Sequence, residues 1–326
     1  MTDGAVRFAH KRPLSERVVF VDGLARAGKG LVLRILSHLK RGQHWQLHGA
    51  VQNICFAHQM GAVNTEFAAA AIRSLIDEHT YNWIIGRNLN TRLSDESCIY
   101  RAADARDFVR RSTDSDGQEA VDRFNAEELF PVFDLHSTLR SAPLMFKALP
   151  WASYVHIVRH PVEQADRWHA RGWGIREAED PLSFDVVVET EFGPVPWYAA
   201  DWAEAFLALE PMERTVEGVL KLQGEDRAGF ESLGDEKDRV LWICFEQLVF
   251  ETDFTIGQIS AFLDAPGLPQ MRAMLTAENC PRENDLDTRR RTFDRIASLI
   301  SADAAERLHR AAKAHEQRWS LPSIVP

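Results

Sequence analysis

The sequence predicts an α/β fold, a mostly parallel sheet flanked by helices. Short, almost uncharged apolar runs recur along the chain, as expected for strands buried on both faces. Each is separated from the next by a stretch with helical spacing of its apolar residues. Over 326 residues the composition is that of an ordinary globular protein, with 26% charged and 45% hydrophobic residues. There is no internal repeat and no long linker, so one domain spanning residues 1–326 is expected.

The elements follow in order. Residues 1–16 read as a polar arm. Arg17 to Asp22 is an apolar run closed by Gly23, the first strand. Gly28 to Lys40 is predicted helical, with Leu31, Ile35 and Leu39 on one face. Asn64 to Glu78 is an alanine-rich helix. Residues 112–119 form the clearest loop. Phe130 to Leu135 is a second strand and Ser141 to Leu149 a short helix. Tyr154 to Val158 is a third strand, and Pro161 stands where prolines favour the first turn of a helix. Residues 181–196 read as irregular and Trp197 to Phe230 as mostly helical. Arg239 to Phe245 is a fourth strand. Phe254 to Leu263 and Thr288 to His315 are amphipathic helices. Helical inserts are expected at about 60–128 and 170–237.

Charge narrows the function classes. Lys and Arg number 38 against 48 Asp and Glu, a net charge of −10, so a general nucleic-acid coating role is disfavoured. An anionic ligand must be held by a local basic cluster. Cys55, Cys98, Cys244 and Cys280 lack zinc-ligand spacing and read as free thiols of a reducing compartment. No metal ligand set is apparent. The first 17 residues carry no apolar signal core, and no window is long and apolar enough for a membrane span. A cytoplasmic location is expected.

Three segments carry chemistry. Gly23-Leu24-Ala25-Arg26-Ala27-Gly28-Lys29-Gly30 follows a predicted strand and opens a predicted helix before Leu31. Such a turn wraps backbone N–H groups around an anion at the positive end of the helix. The spacing fits Gly-x-x-x-x-Gly-Lys, the P-loop pattern. Gly30, however, stands where a nucleoside-triphosphatase places a magnesium-binding hydroxyl. Arg159-His160-Pro161 and Asp134-Leu135-His136 leave two other strands. The carboxyl ends of parallel strands are where one crevice gathers such residues. Each segment also has a plainer reading: a glycine turn, an arginine paired with a carboxylate, a surface histidine.

Together these residues resemble the sulfotransferases that use 3′-phosphoadenosine 5′-phosphosulfate (PAPS), a P-loop NTPase-like fold. Arg26-Ala27-Gly28 resembles the family's loop at the 5′-phosphosulfate. Arg159-His160-Pro161 resembles its 3′-phosphate segment. His136, 23 residues before Arg159, lies near the spacing of the family's general base. Val240 to Leu263, with Phe245-Glu246-Gln247-Leu248, and Trp168 with Arg171 to Gly174 are similar to further family stretches. The resemblance spans about residues 17–264. It implies sulfuryl transfer from PAPS to an acceptor hydroxyl, with PAP (the 3′,5′-bisphosphate) as product. His136 would be the base, with Arg26 and Lys29 on the transferred group's side. Gly23, Ala27, Gly28, Gly30, Leu31, Arg159 and Arg167 would complete the nucleotide site. Arg167 stands at the family's serine position, and Arg289-Arg290-Arg291 is the candidate late basic contact. The acceptor would be a small molecule or carbohydrate, on which several of the nine tryptophans could stack. Gly86 to Arg92 is a second candidate acceptor wall. Two rivals stay open. One is a P-loop kinase, with Lys29 on phosphates and Asp134 on Mg²⁺. The other is a non-catalytic PAP-binding module. Glu246 is the alternative base.

Overall fold

The computed structural model describes residues 7–9 and 11–325. In chain order the elements are β1 (Val18–Asp22), α1 (Lys29–Ser37), β2 (Gln46–Leu47), α2 (Gly49–Gln59), α3 (Thr65–Ile84), α4 (Ala105–Arg111), α5 (Gly117–Ala126), β3 (Val132–Asp134), α6 (Ala142–Ala148), β4 (Ala152–Val158) and α7 (Pro161–His169). They continue with β5 (Val187–Thr190), β6 (Gly193–Pro196), α8 (Ala203–Ala208), α9 (Pro211–Glu231), β7 (Val240–Cys244), α10 (Phe245–Phe250), α11 (Thr252–Phe262), α12 (Met271–Ala277), α13 (Leu286–Ala297) and α14 (Ala302–Trp319).

Five strands form one parallel sheet in the order β2-β3-β1-β4-β7. β1 is buried along its whole length. Its residues alternate between two cores, as a period of two requires. Val18 and Phe20 pack with Phe133, Tyr154 and Val240 on one face. Val19 and Val21 pack with Val132, Val155 and Ile243 on the other. The four strands read from apolar runs are therefore present, because burial on both faces demands such runs.

β1 is flanked by β3 on one side and β4 on the other. The chain leaves β1 towards the β2–β3 side and later crosses to β4 and β7, so a crevice opens at the carboxyl end of β1. The loops that follow β1, β3 and β4 and the β7–α10 junction all emerge at that edge.

Several expectations are corrected. The loop at 112–119 is shorter, since α5 begins at Gly117. Residues 181–196 are not irregular throughout, since they contain the antiparallel hairpin β5–β6. Thr288 to His315 is two helices, α13 and α14, and Ser301 caps the second through the backbone N–H of Ala304. Phe245 starts a helix instead of ending a strand. All four cysteines are free and buried. No described helix is long and apolar enough to cross a membrane.

Candidate anion-binding and catalytic cleft

The β1–α1 turn is built by constraints that sequence alone can only hint at. Gly23 has φ +140°, and a Cβ there would lie 2.3 Å from the Ile157 carbonyl oxygen. Gly28 has φ +108°, and its Cβ would lie 2.2 Å from Phe245 Cδ2. Both positions therefore require glycine. Arg26 also takes positive φ, 67°. The Ala25 carbonyl is held from outside the turn by Gln164 Nε2 at 2.7 Å and Trp168 Nε1 at 2.6 Å. α1 starts with no side-chain cap and no acidic residue in its first turn. Its positive end therefore opens toward the cleft, where the Glu96 carboxylate stands beside Gly30.

The cleft has a volume of about 960 Å³, and Arg26, Gly28, Lys29, Gly30, Leu31, His136, Arg159 and Arg167 all line it. Eight of the candidate residues thus meet in one crevice. Gly23 and Ala27 lie beneath it as buried turn residues.

Its positive charge is under-compensated. Burial lowers the pKa of Arg26, and the neighbouring Arg171 and Arg167 push it down further while Glu96 opposes them. Arg159 is lowered by burial, against Glu163 and Glu246, and by the repulsion of Arg167 and Arg282. Arginines that crowd one another in a chain of net charge −10 fit a multiply charged anion. Arg159 lies 4.2 Å over the Phe245 ring, and its Nη1 donates to the Arg26 carbonyl at 3.2 Å. Its Nε is buried without a hydrogen-bond partner among the described residues. The two arms of the basic site are thereby joined: Phe245 supports Gly28 on one side and Arg159 on the other.

Arg282 lines the same cleft and had no sequence signal, because it follows α12 on a loop that only the tertiary fold brings in. The late basic contact expected at Arg289-Arg290-Arg291 lies elsewhere. Arg289 is buried against Glu163, with Nε–Oε1 at 2.7 Å, while Arg290 and Arg291 are exposed on α13. Gly86 to Arg92 is a surface turn outside the cleft. From the following stretch Glu96 and Arg101 line it instead.

Lys29 is placed differently from the expectation of a phosphosulfate ligand. Its Nζ donates to the Leu135 carbonyl at 2.7 Å and the Gly23 carbonyl at 3.1 Å, and it pairs with Asp134 Oδ1 at 3.3 Å. Two protons go to backbone carbonyls and the charge faces Asp134, so it braces the ends of β1 and β3. Asp134 is consumed by the same pair, and burial raises its pKa to about 6 against the pull of Lys29. The two groups that a kinase would aim at phosphates and Mg²⁺ form an ion pair with each other. Gly30 adds no hydroxyl, and the space beside it holds the Glu96 carboxylate.

His136 faces the cleft beyond β3. Its partner is Gln52 on α2, not Asp134. Gln52 Oε1 lies 3.2 Å from the His136 backbone nitrogen and 3.3 Å from Nδ1. A backbone N–H can only donate, so the shared Gln52 atom is the oxygen. Nδ1 must then carry the ring proton, which leaves Nε2 with a free lone pair. Burial and the nearby Lys29 hold the imidazole pKa well below its usual value, while Asp22 pulls the other way. The ring is therefore neutral at pH 7. Glu246 does not line the cleft. It is 1% exposed and accepts from the His160 backbone N–H at 3.0 Å, from Cys244 Sγ at 3.0 Å and from His315 Nε2 at 3.3 Å.

Phe56, Trp173, Trp197 and Tyr198 form an aromatic wall in the same cleft. Phe56 and Trp197 are stacked with ring centroids 3.9 Å apart.

No protein-family model and no curated protein matches the chain. Comparison with solved structures does find sulfotransferases. A sulfotransferase domain from the curacin biosynthetic pathway is 14% identical, with 97% of this chain and 100% of that chain covered and a TM-score of 0.43. Sulfotransferase STF9 from Mycobacterium avium is 13% identical over 97% of this chain and 79% of that chain, with a TM-score of 0.47. Retinol dehydratase in complex with androsterone and inactive cofactor PAP is 11% identical over 95% of this chain and 84% of that chain, with a TM-score of 0.33.

Proposed function

We propose that the protein is a PAPS-dependent sulfotransferase acting on a hydroxyl of a small-molecule or carbohydrate acceptor. The observation that carries this reading is one cleft with two linked basic arms and a neutral imidazole. The arms are Arg26 with the amides of α1, and Arg159 with Arg167 and Arg282; the imidazole is His136, its Nε2 free. A nucleotide bearing phosphates at both its 5′ and 3′ positions is the ligand that two such arms would suit.

PAPS would supply an activated sulfuryl group on a phosphate leaving group. Arg26 and the N–H groups at the start of α1 would hold the 5′ side and stabilise the charge that develops on the departing phosphate oxygen. Lys29 keeps the turn in place from beneath. Arg159, Arg167 and Arg282 would hold the 3′-phosphate, with Phe245 keeping Arg159 flat against the turn. His136 Nε2 would take the acceptor proton as the oxygen–sulfur bond formed and the sulfur–phosphate oxygen bond broke. Gln52 holds the tautomer this needs. The aromatic wall gives the acceptor a face to stack on.

The test is PAP release from PAPS with a panel of phenolic and sugar acceptors. His136→Ala should bind PAP within about threefold of wild type while turnover falls by about 10²–10⁴-fold. Turnover near wild type would remove His136 from the mechanism. Binding of PAP with no turnover on any acceptor by the wild type would favour the non-catalytic module.

A further inference from the structure

We propose that Cys244, Glu246 and His315 form a binding site for a zinc-type divalent ion. All three are buried. Cys244 Sγ and Glu246 Oε2 are 3.0 Å apart, His315 Nε2 and Glu246 Oε2 3.3 Å, and Cys244 Sγ and His315 Nε2 3.6 Å. A circle through these three atoms has a radius of roughly 1.9 Å, against zinc bonds of about 2.0–2.1 Å to nitrogen, 2.0–2.2 Å to oxygen and 2.3 Å to sulfur. An ion at those distances sits just off the plane of the triangle. The three residues then make one face of a tetrahedron with a fourth position open. Thiolate, imidazole and carboxylate are also the donor set that suits zinc over calcium or magnesium.

A second observation lies beside the triangle. His160 is fully buried with neither ring nitrogen hydrogen-bonded among the described residues, and its ring centroid is 5.2 Å from that of His315. Glu316 Oε1 stands 3.5 Å from its Nε2 without completing a hydrogen bond. A water held on the open position of an ion is the kind of partner such a buried imidazole lacks.

The site would tie distant parts of the chain together. Cys244 ends β7, Glu246 lies in the first turn of α10, and His315 comes from α14, beyond the segment that resembles the sulfotransferases. Glu246 Oε1 holds the backbone N–H of His160, the residue after Arg159. The ion would thus fix the end of β4 as well as dock the last helix. Binding releases the Cys244 thiol proton to solvent as the thiolate–metal bond forms.

The test uses the full chain and does not depend on turnover or nucleotide. Protein purified without chelator should contain about one zinc per chain by elemental analysis. Chelator-treated protein titrated with Co²⁺ should develop a thiolate-to-cobalt charge-transfer band that saturates at one equivalent. Cys244→Ala and His315→Ala should lose the band, whereas Cys280→Ser should keep it. Glu246→Gln retains the shape but supplies a poorer ligand, and should weaken Co²⁺ binding by about tenfold or more. Wild-type protein that holds no metal and gives no band with Co²⁺ overturns the proposal, whatever the variants do. So does a band that Cys280→Ser abolishes.

Discussion

Arg159→Ala separates the two arms of the basic site, and its effect can be worked out in advance. The side chain is 12% exposed and stacked on Phe245. Its nearest carboxylate, Glu163 Oε2, is 3.8 Å from Nε, while Glu163 Oε1 is held by Arg289 at 2.7 Å. Removing Arg159 therefore leaves no buried carboxylate unpaired, and the variant should fold. The loss falls on ligand binding: one charge-assisted contact to a phosphate contributes about 1.5–3 kcal/mol, or roughly 10–150-fold in Kd. Titration calorimetry with PAP and with adenosine 5′-phosphate reads the difference. PAP should lose that factor, and adenosine 5′-phosphate should lose much less, the remainder coming from the Arg159–Arg26 carbonyl bond. Arg159→Lys should fall between, since a lysine keeps the charge but not the planar fork. Equal losses for both ligands, or none for PAP, would refute the assignment of Arg159 to the 3′-phosphate.

Gly28→Ala should destabilise the fold by about 1–3 kcal/mol through overpacking on Phe245 and weaken PAP binding more than tenfold. Gly30→Ala meets only the movable end of Glu96 and should stay within about 0.5 kcal/mol of wild type; denaturant midpoints decide both. A pH effect follows from Asp226, which is 1% exposed with neither oxygen hydrogen-bonded among the described residues. Burial raises its pKa from 3.8 to about 7, against the pull of His156. The folded state then keeps a proton that the unfolded chain releases, so stability falls as pH rises from about 4 to about 7 and levels off above. Asp226→Asn cannot ionise, and its stability advantage should grow across that window to on the order of 2–4 kcal/mol at pH 8. A gap that does not change with pH would show Asp226 ionised in the fold.

What the sequence disclosed follows from which interactions are local. β1, β3, β4 and β7 were legible because a strand buried on both faces must be apolar throughout, as in Val18–Asp22. β2 was not, since Gln46 and Leu47 join the sheet edge through backbone bonds alone. The Gly23–Gly28 turn was legible because glycine is required there by φ and by the close approach of Ile157 and Phe245. Arg282 and Gln52 were not, because their roles exist only through contacts with residues far away in sequence. Lys29 misled for the same reason. Its position fits a phosphate-binding pattern, but it donates to the Gly23 and Leu135 carbonyls and pairs with Asp134.

The central claim is that the cleft takes a 3′,5′-bisphosphate nucleotide, and thermal unfolding with PAP, with ATP–Mg²⁺ and without ligand tests it most directly. PAP at a hundred times its Kd should stabilise the fold by about 2.7 kcal/mol, a rise of several degrees in Tm. ATP–Mg²⁺ at the same concentration should shift it much less. Stabilisation by ATP that depends on Mg²⁺ and exceeds that by PAP would contradict the account and favour a kinase.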